Sequence, residues 1–352
     1  MNSRENYLRT VRFEHPDYIP MTFALNPACW AEYDRNALFD LLESHPFLFP
    51  GYRRQEERRP SFPLTARRDE PFLDDFGCLW KTARDGLVGT VVGHPLKEWG
   101  SFEAWKAEAP NPETCSGIGP LDWARVKADT EAQRGRGEPA FGELRHGHTF
   151  LQLCDIRSYE NLICDFADDE PRLWELIAVV EGFNRAIVER YLETGVDVMG
   201  YPDDLGMQRG PMLSPGDFRK YIKPSYQRLM EPARNRGIPV HMHSDGDIRD
   251  LLEDLLDCGT DIINLQDMVN GLDFIAERLA GKTCVELDID RQSVTVFGTP
   301  ADIDRHIRGA IASLGRKEGG LMLIYGWYPG TPIGNAAAVM DAMERYRCYF
   351  NG

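Results

Sequence analysis

The sequence lacks the features that would place it in several large functional classes. Its eight cysteines, at positions 29, 78, 115, 154, 164, 258, 284 and 348, form no CxxC pair. That pattern supports neither a disulfide framework nor a zinc ribbon and leaves reduced thiols as the reading. No stretch approaches the roughly 20 apolar residues of a membrane helix. The opening Met1-Asn2-Ser3-Arg4-Glu5-Asn6-Tyr7 has neither the apolar centre nor the small-residue cleavage site of a secretory signal, so a soluble cytoplasmic protein is expected. Net positive charge is lacking: 40 Lys and Arg stand against 56 Asp and Glu, a formal net charge of −16, which disfavours nucleic acid and anionic lipid as partners, since both are bound by neutralising phosphate with Lys and Arg. The basic run from Arg53 to Arg59 carries two acids and reads as a solvated loop. No GxGxxG follows an apolar run, so a dinucleotide fold gains no support.

What remains is a chain of 352 residues with 42% hydrophobic content, long enough for one α/β barrel of roughly 250 residues with insertions. Residues 1–140 read as an elaborated N-terminal part, irregular and rich in Pro, Gly and Trp, with a helix near Asn36 to Glu43 and a partly β stretch from Asp69 to Pro95. Residues 141–352 read as regular βα units of the same domain. Strands are expected at His148 to Leu153, Val196 to Tyr201, Ile238 to His243, Ile262 to Leu265, Thr283 to Leu287 and Leu321 to Tyr325. Helices are expected between them, at Tyr159 to Phe166, Pro171 to Thr194, Pro215 to Arg236, Asp247 to Leu256, Leu272 to Ala280 and Pro300 to Leu314, with Ala336 to Tyr346 closing the chain. Repetition to this depth predicts a (β/α)8 barrel.

Barrel active sites form where strands end, and polar residues are dense there. His241 and His243 lie two apart in a strand, so both imidazoles point the same way and could share a metal. Zinc in catalytic sites takes three protein ligands and an open position, and Glu286, at the end of its own strand, is the first choice for the third. Asp203 and Asp204 follow the strand ending at Tyr201, where carboxylates can hold a proton, contact substrate or orient a ligand. Asp204, Asp75 and His148 are the candidate catalytic groups, with His146 behind them. Asp203, Gln266, Cys29, Tyr325 and Trp327 are candidate substrate contacts, the aromatic pair together with Trp30 and Tyr328 as apolar walls. Hydrogen-bonded strand-end histidines, capping aspartates and core aromatics are the alternative readings of the same residues.

Several segments, in order along the chain, resemble the uroporphyrinogen decarboxylase superfamily. They are Arg12-Phe13-Glu14-His15-Pro16-Asp17-Tyr18-Ile19-Pro20, Asp203 to Gly210 with Ser214-Pro215 and Lys223-Pro224, and His241-Met242-His243-Ser244-Asp245-Gly246. To these add Asp288 to Gln292 with Phe297-Gly298-Thr299-Pro300, and Pro329-Gly330-Thr331-Pro332. The resemblance implies a barrel with either tetrapyrrole decarboxylation or zinc-dependent methyl transfer involving corrinoid proteins. The decarboxylases carry an Arg-rich RQAGR-type signature for substrate carboxylates, and the corresponding Met21 to Trp30 holds no arginine. The methyltransferases carry a His-x-Cys metal motif, whose His matches His241 and whose Cys is replaced by His243. Their second cysteine ligand, near Tyr325, has no counterpart, and Glu286 stands in for it. The expectation is therefore a zinc-dependent methyltransferase acting between a small methylated compound, such as a methoxylated aromatic, and a corrinoid protein. A metal-free decarboxylase using Asp75 or Asp204, and a non-catalytic protein that binds a corrinoid partner, are the competing readings.

Overall fold

A computed structural model describes residues 1–55 and 60–351. The second half of the basic run, Glu56 to Arg59, lies outside the described residues. The strands are β1 Met21–Leu25, β2 Phe72–Leu73, β3 Leu79–Lys81, β4 Thr90–Gly93, β5 Phe141–Glu143, β6 Val198–Pro202, β7 Val240–Ser244, β8 Ile262–Gln266, β9 Cys284–Asp288 and β10 Leu321–Trp327. Seven of them form one parallel sheet in the order β1-β10-β9-β8-β7-β6-β5, and β2, β3 and β4 form a separate antiparallel sheet.

The eight-stranded ring expected from the sequence is thus corrected to a curled sheet of seven strands among the described residues, with β1 and β5 as its edges. The chain between those edges supplies short helices and the small antiparallel sheet, whose strands pair with each other and add none to the ring. The N-terminal part also holds a barrel strand, β1, which its irregular composition concealed.

A second correction concerns His148 to Leu153. The strand lies earlier, at β5, and Phe150–Arg157 is a helix. An apolar run of this length suits either state. The deciding contact is remote, because Asp203, beyond β6, accepts the backbone N–H groups of Thr149, Phe150 and Leu151. Those are the orphan donors of a helix start, and their acceptor sits more than fifty residues away in sequence. The helix expected to start at Asp247 begins at Leu252. The helix from Pro215 is broken by a π turn at Phe218–Ile222 before Lys223–Asn235, which carries Pro232 internally.

The helix Ser3–Arg12 starts where the Asn2 side chain accepts the Glu5 N–H and ends at Phe13 in the left-handed region, a helix with both termini satisfied. Its Tyr7 and Val11, one turn apart on one face, pack on Val198, Ile262, Cys284 and Met322. Val198, Ile262 and Cys284 are the first residues of their strands and Met322 the second of β10, so the helix plugs the N-terminal end of the barrel. The opposite, C-terminal end is left for chemistry. No helix among the described residues is long and apolar enough to cross a membrane.

Candidate metal and substrate site

Alternation along β7 decides what faces the barrel interior. Val240, Met242 and Ser244 are buried against the outer layer, whereas His241 and His243 are half-buried. The His241 imidazole reaches a strand that is not a neighbour of β7, so it projects across the interior, and His243, two residues on, shares its face. His241 Nε2 lies 2.8 Å from Glu286 Oε2 on β9, with β8 between the two strands. His243, one pleat nearer the mouth, meets Asp204 at 3.5 Å and Asp245 at 3.9 Å. His146, in the loop after β5, approaches the same Asp204 oxygen at 3.4 Å.

The structure therefore divides the expected ligand set. His241 and Glu286 form a pair deep in the barrel, while His243 joins His146 and Asp204, whose ligand atoms all lie within 4.8 Å of one another. Burial pushes the Asp204 carboxyl up, but hydrogen bonds and charge from His146 and His243 outweigh it and hold the group well below the usual carboxylate range. The same balance acts on His243, where burial is overcome by Asp204, Asp245 and Asn264 and the imidazole is raised to about 9.

The tautomer of His243 follows from its neighbour. Asn264 Nδ2 donates to the Glu286 backbone carbonyl at 2.7 Å, which turns the amide oxygen toward His243 Nδ1, its hydrogen-bond partner. Nδ1 therefore carries a proton, and Nε2 faces Asp204. Fixing a ligand imidazole through its other nitrogen is the usual support for metal binding. Donor spacing agrees as well: two atoms about 2.1 Å from one ion at a tetrahedral angle stand about 3.4 Å apart, whereas charge-assisted N–H···O bonds are shorter, about 2.8 Å.

The loops after β6 and β7 hold this group from above. Asp245 N–H donates to Asp204 at 2.9 Å, Leu205 N–H donates to the Ser244 hydroxyl at 2.9 Å, and Gln266 accepts the Gly246 N–H at 3.0 Å. Gly206 and Gly246 pack backbone to backbone. A Cβ on Gly246 would sit 2.2 Å from the Gly206 carbonyl carbon, and Gly246 has φ +81°, a conformation that glycine adopts without strain. Arg291 closes the rim, pairing with Asp288 at 2.7 Å and Asp245 at 3.1 Å beneath the Tyr328 ring. Burial, opposed by Arg291, raises Asp288 to about 7.

The other expected site residues lie elsewhere. Asp203 is fully buried and accepts three backbone N–H groups and the Tyr226 hydroxyl. His148 is enclosed between that network and the rings of Tyr226 and Tyr201, and burial lowers it to about 4. Asp75 holds the Gly119 N–H at 2.8 Å within the N-terminal part. Tyr325 and Trp327 fall on the outer face of β10 and pack on Phe23, while the half-buried Ile324 and Gly326 occupy the alternate positions. Cys29 is buried with its thiol donating to the Trp327 carbonyl at 3.3 Å, and burial pushes it up to about 12. Asn264 and Arg291 were not singled out from the sequence. Asn264 lies mid-strand at an even spacing from Gln266, the one local signal that it faces inward.

Comparison with known proteins agrees with this architecture. The family model described as uroporphyrinogen decarboxylase (URO-D) matches residues 150–346. Uroporphyrinogen decarboxylases from two strains of Thermus thermophilus are each 32% identical over 181 residues, covering 50% of this chain and 49% of the relative. The match thus spans about half the length of these curated relatives. A methyltransferase from Methanosarcina mazei superposes with a TM-score of 0.64 at 16% identity, over 98% of this chain and 99% of that one, a likeness of fold. The family match extends from the helix that Asp203 caps to the closing helix and takes in Asp204 and His243, and on that extent the chain belongs to the uroporphyrinogen decarboxylase (URO-D) family.

Proposed function

We propose that the protein is a metal-dependent methyltransferase that moves a methyl group between a small methylated compound, a methoxylated aromatic being the favoured class, and a corrinoid protein. The observation that carries this reading is the convergence of His146, Asp204 and His243 at the barrel mouth, with a donor spacing suited to one ion and an Nδ1 bond to Asn264 that turns His243 Nε2 toward Asp204. These three residues would hold zinc. When bound, the metal supplies Lewis-acid activation of the heteroatom that carries the methyl group.

The remaining steps belong to the chain's own residues. Asn264 holds the imidazole of His243 in register. Asp204 contributes the negative charge and is itself anchored by the Asp245 N–H. Arg291 pairs with Asp245 and Asp288 at the rim, offsetting their charge beside the centre. In the transfer, the methyl carbon leaves the donor heteroatom, which keeps the bonding pair, and joins a nucleophilic acceptor, reduced cobalt in this reading. The Methanosarcina neighbour, a methyltransferase by its name, shares the fold and is consistent with this class of reaction.

Elemental analysis tests the reading. About one zinc per chain is expected in the wild type, lost in His146→Ala, Asp204→Ala and His243→Ala, together with methyl transfer from methoxylated aromatics to cobalt(I) corrinoid. Failure of the wild type to retain zinc after reconstitution would overturn it. The Thermus relatives, named as decarboxylases, favour a second reading, metal-free decarboxylation. Turnover of uroporphyrinogen by metal-stripped protein would establish that reading instead, against the absence of arginine from Met21 to Trp30.

A further inference from the structure

Where the sheet fails to close between β1 and β5, a side cavity of about 280 Å³ opens into the lower barrel. Its walls include Tyr7, Tyr18, Phe47, Phe141 and Met322, and Glu286 lies on its inner side. The rings form two edge-to-face pairs, Tyr7 with Phe141 at 5.4 Å and Tyr18 with Phe47 at 5.3 Å. Phe141 is 47% exposed on an edge strand, a large apolar surface turned toward open space.

The carboxylate sets the chemistry. The Glu286 side chain is only 12% exposed. Oε2 is engaged by His241, and Oε1 has no hydrogen-bond partner among the described residues. An anion would be repelled here. A neutral apolar ligand would strip water from the open carboxylate oxygen without replacing the lost interaction, which is unfavourable. An organic cation satisfies both surfaces, because its charge pairs with the carboxylate and its alkyl shell lies against aromatic rings. The volume is below that of drug-sized pockets, roughly 300–1,000 Å³, and suits a compact ligand. The chain's net charge of −16 steers cations toward it.

We propose that this side cavity binds a small methylated ammonium ion of about choline size, with Glu286 as its counter-ion. The inference stands apart from the metal reading, since it uses none of His146, Asp204 or His243.

The test is calorimetric titration of the full chain, stripped of metal, with choline and tetramethylammonium, and with 3,3-dimethylbutan-1-ol as the neutral carbon analogue of choline. Saturable binding of both cations is expected, with the neutral analogue at least about tenfold weaker. Glu286→Gln and Phe141→Ala should each weaken choline by about tenfold, while Glu286→Asp, which keeps the charge, retains most of the affinity and shows that the fold tolerates a change there. Absence of saturable cation binding, equal affinity for the neutral analogue, or unchanged affinity in both Glu286→Gln and Phe141→Ala would each overturn the proposal. Binding that persists in His146→Ala separates this site from the metal site, so either can fail without the other.

Discussion

Asp203 and Asp204 are adjacent in sequence, yet the structure assigns them opposite work, and substitution should separate the two. Asp203 is fully buried. It receives N–H donors from Thr149 at 3.1 Å, Phe150 at 2.7 Å and Leu151 at 3.1 Å, and the Tyr226 hydroxyl at 2.7 Å. Hydrogen bonds to a charged group contribute about 1.5–3 kcal/mol each, and neighbours sharing one acceptor do not add fully. Asp203→Ala, which strands four buried donors, should therefore cost about 5 kcal/mol. Asp203→Asn keeps one acceptor oxygen. If that oxygen takes the position shared by Thr149, Phe150 and Tyr226, the amide nitrogen faces the Leu151 N–H, one bond is lost, and the cost should be about 2–3 kcal/mol. Asp204, with 25% of its side chain exposed, bonds mainly to site groups, so Asp204→Ala should cost less than Asp203→Ala, about 1–3 kcal/mol, while abolishing metal retention. Urea unfolding followed by far-ultraviolet circular dichroism, with zinc content measured on the same samples, reads both quantities. An Asp203→Ala variant as stable as wild type but impaired in ligand binding would refute the reasoning and return Asp203 to the substrate-contact role suggested by its place after a strand.

Asn264→Leu, which removes the acceptor for His243 Nδ1 and frees the imidazole to turn, should weaken zinc binding by about 10–100-fold in a competition assay with a chromogenic chelator. Gly246→Ala, with its Cβ forced into the Gly206 backbone at positive φ, should destabilise by roughly 3 kcal/mol or more in urea unfolding. His306 pairs with the buried Asp267 at 2.6 Å. Burial lowers its pKa, but the hydrogen bond and charge of Asp267 prevail and raise it. A raised imidazole stabilises the fold fully below its unfolded value, about 6.5, and that contribution is lost as pH rises through the higher folded value. The gap in urea midpoint between wild type and His306→Gln should therefore be widest in mild acid and narrow toward alkaline pH.

Much of this site could be read from residue types and spacing. The period of two along Val240 to His243 placed both imidazoles on one face, and Asp204 was marked by its position just beyond a strand. The grouping of ligands was less legible, because it depends on which strands face each other across a curled sheet. His241 and His243 differ by one pleat, enough to give them different partners. A lone histidine such as His146 is more often structural than catalytic, and its strand, β5, begins seven residues before the apolar run that suggests one, because Asp203 provides a remote cap to the following helix. Tyr325 and Trp327 show the sensitivity of register: one position along β10 separates the interior from the helix-covered face. The absence of an eighth barrel strand among the described residues left no local sign, since whether β2 to β4 join the ring or pair among themselves is settled only by tertiary packing.

The backbone contact between Gly206 and Gly246 joins two βα loops that the chain makes separately. Neither glycine can acquire a side chain unless the opposite backbone retreats, so the two loops can diversify only in concert, and a change in one sets the terms for the other. The same contact acts mechanically. If the mouth widens to admit a ligand, Asp204 and His243, each anchored beside one of the glycines, travel as a single plate, and the donor group can keep its spacing while the entrance above it moves.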